Sequence, residues 1–211
     1  MRHLTLSPAL AAALLAGVAW SAAPPAAPPA ASPAPAPAAG AGRHYALDAA
    51  KSSLAFTFLQ AGAQNSGRFP RFAVTLDFPG ADPAGGRLEV TVEVAALDTG
   101  DKDRDDTLKS DDLFAVKKFP QAHFSAAQIV RSAAGYEAVG KLTIRGVTRD
   151  ARVPFTFREA TEGGATVGYM SGKTVVRRLD YGVGQGDWKA TDQAGNDVTV
   201  SFTLRLTRAA P

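Results

Sequence analysis

The sequence predicts an all-β domain of about eight antiparallel strands, preceded by a segment that does not join the fold. Apolar and polar residues alternate at period two through most of the chain beyond Ser52, the repeat of a strand with one buried face. Gly- and Pro-containing turns punctuate those runs, and helical spacing shows in a single stretch. Charge is distributed unevenly as well: of the 23 Lys+Arg only Arg2 precedes Arg43, which leaves 22 beside all 20 acids in the remainder.

Taken in order, Met1-Arg2-His3, the apolar run Leu4 to Trp20 and the small residues Ser21-Ala22-Ala23 form the three parts of a secretory signal over 1–23. Pro24 disfavours cleavage directly after Ala23, so the cut falls anywhere among the small residues from Ser21 to Ala31. A retained membrane anchor fits less well, because the run contains Pro8 and Gly17 and is short for a span of about 20 residues. Residues 24–42 are almost wholly Ala and Pro, a spacer that favours extended, semi-rigid structure and cannot bury a core. The folded unit is therefore 43–211, a length suited to one domain.

Within that unit, Leu54, Phe56 and Phe58 alternate with Ser53, Ala55 and Thr57. Leu88, Val90, Val92 and Val94 alternate with Arg87, Glu89, Thr91 and Glu93. The pattern recurs as Val153, Phe155 and Phe157 in 152–158, and as Val198, Val200, Phe202, Leu204 and Leu206 in 198–206. Weaker strands are expected at 68–78, 121–130, 135–145 and 165–178, with turns at Pro79-Gly80, Gly85-Gly86, Ala134-Gly135, Gly163-Gly164 and Gly195-Asn196. A short helix or turn is expected near 105–115, where Leu108 and Phe114 flank a polar stretch. Such strands form a sandwich or close into an up-and-down barrel. An eight-stranded barrel is just wide enough to be filled by side chains or to hold one small ligand.

Composition excludes several functions. A formal charge of +3 is too small for phosphate binding by counterion release, so no nucleic-acid partner is expected. The absence of cysteine removes disulfides, thiolate metal sites, Cys nucleophiles and lipoprotein acylation. Only His44 and His123 remain beyond the signal, and with Phe124 facing inward His123 faces water. Ser125 lies two residues on, but neighbours on one strand face do not make a base oriented by a third group, so catalysis is not expected. Seven aspartates fall in 98–112. Asp101, Asp103, Asp105 and Asp112 imitate a calcium loop, yet Asp106 stands where the turn needs Gly and Asp112 where the bidentate Glu belongs. A solvated acidic loop fits better, and no metal or required cofactor is expected. Gly182-Val183-Gly184-Gln185-Gly186 lacks the helix of a phosphate-binding turn and reads as a sharp bend. The aromatic residues serve a solid core and a lipid cavity equally, and pattern alone leans toward the solid core.

Several segments in order resemble the YceI family of exported, lipocalin-like proteins. They are Tyr45-Ala46-Leu47-Asp48 with Ser53 and Phe56, Gly67-Arg68-Phe69, Leu97-Asp98-Thr99, and Arg104-Asp105 followed by Leu108, Ser110, Asp112 and Phe114. Phe119-Pro120-x-Ala122-x-Phe124, Gly140-x-Leu142-Thr143-Ile144-Arg145-Gly146-Val147-Thr148 and Arg178-x-Asp180-Tyr181-Gly182-Val183 complete the set. The resemblance implies an eight-stranded antiparallel, lipocalin-like β-barrel that holds a polyisoprenoid or isoprenoid-quinone tail, a periplasmic carrier or sequestering protein rather than an enzyme. It implies cavity walls from Phe56, Phe58, Phe69, Phe72, Val90, Val92, Phe124, Leu142, Ile144 and Phe155, with a headgroup near Gln60, Arg178 and Trp188. Where many members carry His, this chain has Gln60, which hydrogen-bonds a carbonyl but does not titrate near neutral pH. Arg178 has a second reading, a rim cation paired with Asp180 or with the aspartates of 98–112. An enzyme acting on a small apolar substrate and a solid-core interaction protein remain the alternatives. A membrane redox partner and a dimer stay open.

Overall fold

The structure, a computed structural model, describes residues 42–209. The expected signal over 1–23, and the spacer over 24–42 except Gly42, lie outside the described residues.

Ten strand segments and one helix follow in sequence: β1 (Arg43–Leu47), β2 (Ser53–Gln60), β3 (Ala63–Arg68), β4 (Phe72–Phe78), β5 (Arg87–Glu93), α1 (Lys102–Lys109), β6 (Gln121–Ser132), β7 (Gly135–Ile144), β8 (Val147–Glu162), β9 (Ala165–Arg177) and β10 (Asp197–Arg208). They occupy eight positions of a closed antiparallel barrel. β4 to β10 pair in succession apart from α1, and β1 closes the ring by pairing with both β4 and β10. Two positions hold two segments each. β10 pairs first with β2, Val200 opposite Phe56, and further on with β1, Leu206 opposite Leu47. Between them the chain turns through Ala49–Lys51, and the Ser52 hydroxyl repairs the break by donating to the Asp48 carbonyl (2.7 Å) and accepting from the Arg205 amide (3.0 Å). β3 and β4 are likewise parted at Pro70, which has no N–H to give a ladder.

The expected runs 52–59, 87–94, 152–158 and 198–206 are strands in the structure, and the alternation assigns their faces correctly: Leu54, Phe56, Leu88, Phe155, Leu204 and Leu206 are buried. Two segments differ from expectation. β1 stands alone as a strand, and β3 (Ala-Gln-Asn-Ser-Gly-Arg) has no apolar alternation to announce it; it is held by pairing with β2 across a turn at Ala61-Gly62. The helix lies earlier than 105–115, because Asp101 caps it by accepting from the Arg104 amide (3.1 Å) and residues from Ser110 onward form turns instead.

The barrel has unlike ends. The turns after β4, β6 and β8 close one end, where Tyr45, Phe78 and Phe157 pack ring against ring at centroid separations of 5.0–5.6 Å. The Tyr45 hydroxyl donates to Glu159, whose carboxylate is also gripped by Arg43 (2.7 Å to both oxygens). Arg205 ties Asp48 (2.5 Å) to Glu162 (2.7 Å). Burial would raise the Glu159 carboxyl, but the hydrogen bonds from Tyr45 and Arg43 outweigh it and hold it below the usual range. The other end is bordered by the β2–β3 turn, residues 94–120 with α1, the β7–β8 turn and the loop 178–196.

Candidate functional site

Inside the open half lies a cavity of about 490 Å³. Its lower wall is Val74 of β4, Leu88 of β5, Phe124 of β6, Met170 of β9 and Leu204 of β10. These side chains point inward because their strands alternate, and none offers a hydrogen-bonding group to water. The volume falls within the roughly 300–1,000 Å³ of pockets that hold a drug-sized ligand.

Most of the expected wall residues meet here. Phe56 and Phe58 from β2 are stacked with centroids 5.9 Å apart, and Phe69 leans on Phe56 at 4.8 Å. Phe72, Val90, Val92, Phe124, Leu142 and Ile144 complete the lining from β4, β5, β6 and β7. Phe155 does not. It is buried outside the lining, stacked on Tyr136 at 5.7 Å within the main core. Period two tells which face a residue occupies but not its depth along the barrel.

Two glycines explain how so many rings fit. Gly67 lies opposite Phe56, whose ring covers the place of its missing side chain: a Cβ there would approach Phe56 to 2.4 Å. Gly172 lies opposite Phe202, where a Cβ would meet that ring at 2.7 Å. β9 is therefore weak in the sequence for a packing reason. It presents Gly168 and Gly172 inward where neighbouring strands bring large side chains.

Polar groups gather at the mouth. Gln60 and Trp188 line it, together with Asp101, Asp103, Arg104 and Thr107 from the α1 region and Thr174 from β9. The α1 residues and Thr174 are absent from the expected site. The aspartate run reads from the sequence as a solvated acidic loop, and an inward Thr gives no hydrophobic signal. The run itself is organised by protein partners. Asp98 accepts from Arg68 (2.6 Å), Asp105 from the amide (2.8 Å) and hydroxyl (2.7 Å) of Thr99, and Asp106 from Lys102. Hydrogen bonds from Arg68 and the Gly100 amide hold the Asp98 carboxyl below its ordinary range. Among the described residues no group of three His, Cys, Asp or Glu could hold a metal ion.

Arg178 borders the cavity, but its guanidinium is directed into the loop 178–196. Nε donates to Gly195 O (2.9 Å), Nη1 to Val183 O (2.8 Å) and Nη2 to Ala194 O (2.6 Å). It is the one buried charged side chain among the described residues, and burial pushes its pKa down. The neighbouring Arg177, not Arg178, faces Asp180 (3.9 Å). Gly184 is shaped by the same contact: its φ is +119°, and a Cβ would fall 1.9 Å from Arg178 Nη1. The bend 182–186 thus wraps a cation. It is tied to the neighbouring loop where the Gly184 and Gln185 amides donate to Asp112 O (3.0 and 2.8 Å).

His123 and Ser125 lie on the outer face of β6. His123 Nδ1 is 3.2 Å from the Thr91 hydroxyl, and Ser125 donates to Glu89 (2.7 Å).

The chain is similar to known proteins throughout this barrel. Its fold matches that of BcnA from Burkholderia cenocepacia with a TM-score of 0.68 and 33% identity, covering 75% of this chain and 98% of that one. A polyisoprenoid binding domain from Saccharophagus degradans implicated in plant cell wall breakdown shares the fold at TM-score 0.56 and 17% identity, covering 78% and 98%. Among curated relatives, a UPF0312 protein of Photorhabdus laumondii is 35% identical over 83 residues, 39% of this chain and 43% of its own length. A UPF0312 protein of Yersinia enterocolitica is 32% identical over 108 residues, 51% and 53%. The match spans about half the length of these curated relatives. The YceI-like domain matches residues 45–206, from the closing strand β1 to the last inward residue of β10 that seals against it, and the chain belongs to that family.

Proposed function

We propose that this protein binds the apolar tail of an isoprenoid lipid or quinone in its barrel and acts, after export to the periplasm, as a carrier or sequestering protein. The observation that carries this reading is the dry cavity open at one end. A wall of Phe, Val and Leu without donors tolerates any branched hydrocarbon. Removing one five-carbon unit from water is favourable by a few kcal/mol before the costs of association, at about 0.8 kcal/mol per CH₂. The polyisoprenoid binding domain with the same fold supports the choice of ligand.

The head of the ligand belongs at the mouth. With the Arg178 guanidinium engaged by carbonyls, Gln60 and Trp188, together with Arg104, Thr107 and Thr174, are the mouth groups suited to meet it, and the Gln60 amide can donate to a quinone or hydroxyl oxygen without exchanging a proton. The placement of His123 and Ser125 on the outer face of β6, away from the cavity, supports binding rather than turnover. The test is organic extraction of protein purified from a bacterial periplasm, followed by mass spectrometry. An isoprenoid species near one per chain is expected. A lipid-free protein that also ignores added prenyl alcohols would sink the reading.

A further inference from the structure

The barrel is hollow for only part of its length. Leu88, Met170 and Leu204 form the floor, each 4% exposed or less. Beneath them the Tyr45, Phe78 and Phe157 rings fill the bore. This plug is anchored. Swinging Tyr45 aside would break its hydrogen bond to Glu159, a carboxylate that Arg43 fixes from the other side. A chain entering from the mouth therefore meets a wall part of the way down.

We infer that this floor sets the length of hydrocarbon the protein encloses at about three isoprene units, so that affinity stops rising with tail length beyond that point. The cavity of about 490 Å³, at roughly 30 Å³ for each water-sized group, holds about sixteen such groups. Three five-carbon units number fifteen carbons. The remainder of a longer tail stays at or outside the mouth, where it exchanges one contact with water for another and gains nothing. The inference rests on the proposed binding of isoprenoid tails, and its test separates the two.

The experiment titrates the protein with prenyl alcohols of one to five units (prenol, geraniol, farnesol, geranylgeraniol and geranylfarnesol), following displacement of the apolar fluorophore N-phenyl-1-naphthylamine. At the efficiency of drug-sized ligands, each unit enclosed is expected to lower the dissociation constant about tenfold. That step is expected from one unit to two and from two to three, with a change of less than about threefold thereafter. Met170→Ala deepens the floor and is expected to move the break, making geranylgeraniol bind more than about threefold tighter than farnesol. Should that variant not fold, the series on the unaltered protein decides alone. A dissociation constant that keeps falling tenfold per unit through five units would overturn the limit while leaving isoprenoid binding intact. Alcohols that fail to bind at any length would overturn both.

Discussion

Arg178 shows how a side chain bordering a cavity can organise the rim through backbone carbonyls alone. Three carbonyls from Val183, Ala194 and Gly195 converge on one guanidinium, whose fork of donors matches three separate directions. A lysine ammonium cannot reach all three. Arg178→Lys is therefore expected to cost about 3 kcal/mol, since buried acceptors are left without donors. Gly184→Ala should do similar harm by a different route, forcing a side chain into both a left-handed backbone and the space of the guanidinium. Because the two changes damage one contact, the double variant is expected to lose clearly less than the sum of the singles. Urea unfolding midpoints measure all three, and full additivity would show that the loop does not depend on this contact. From the sequence, Asp180 is the obvious partner for Arg178, two positions away. The chosen acceptors are backbone atoms of a loop whose path no side-chain pattern records.

The strands were legible where one face is dry and the other wet. β2 is the clearest case, with Phe56 facing the cavity and Thr57 facing out beside Thr199 and Ser66. Phe56→Asp should abolish folding or ligand binding, because an unpaired carboxylate would stand among Phe58, Phe69 and the apolar wall. Thr57→Asp, one residue along, should leave both nearly unchanged. Circular dichroism and fluorophore displacement on the two variants make the comparison, and equal damage would mean the register is wrong. β9 and β3 were harder to read for opposite reasons. β9 replaces inward apolar residues by Gly168 and Gly172 so that its neighbours' rings fit, and β3 draws its position from pairing rather than from a buried face. The aspartate-rich stretch imitates a cation loop in composition but reads as a solvated acidic one. Its carboxylates serve a helix cap and turns, which demand the same residue types as a cation loop.

For the barrel as one body, the closed end is the packed half and the open end holds the cavity. Tyr45 gives a pH-dependent measure of the first. Burial, helped by its hydrogen bond to the Glu159 carboxylate, pushes the phenol from 10 up to about 12. The folded protein therefore keeps a proton that the unfolded chain releases above pH 10. The stability contributed by the neutral buried phenol is complete below pH 10 and declines as pH rises toward 12, by roughly 2–3 kcal/mol over that window. In Tyr45→Phe this contribution to the alkaline decline should vanish, so that the difference in unfolding free energy between the two proteins narrows from pH 10 to 12. A difference that stays constant across the window would mean the phenol is not held in this way.

Alternation of apolar and polar side chains was enough to establish strands and to say which face of each is dry, because that signal is local and repeats every two residues, but it left open whether the sheet closes into a barrel or stacks as a sandwich. The absence of cysteine excluded disulfides, so the fold is held by packing. How far down the barrel each inward residue sits was not available in that signal. Phe56 and Phe155 look alike in the chain, yet one lines the cavity and the other packs on Tyr136 outside the lining, a difference set by strand stagger. Which half is empty, and which arginine is tied to the backbone, follow from contacts between residues far apart in the chain, whose energies depend on geometry that no local pattern encodes.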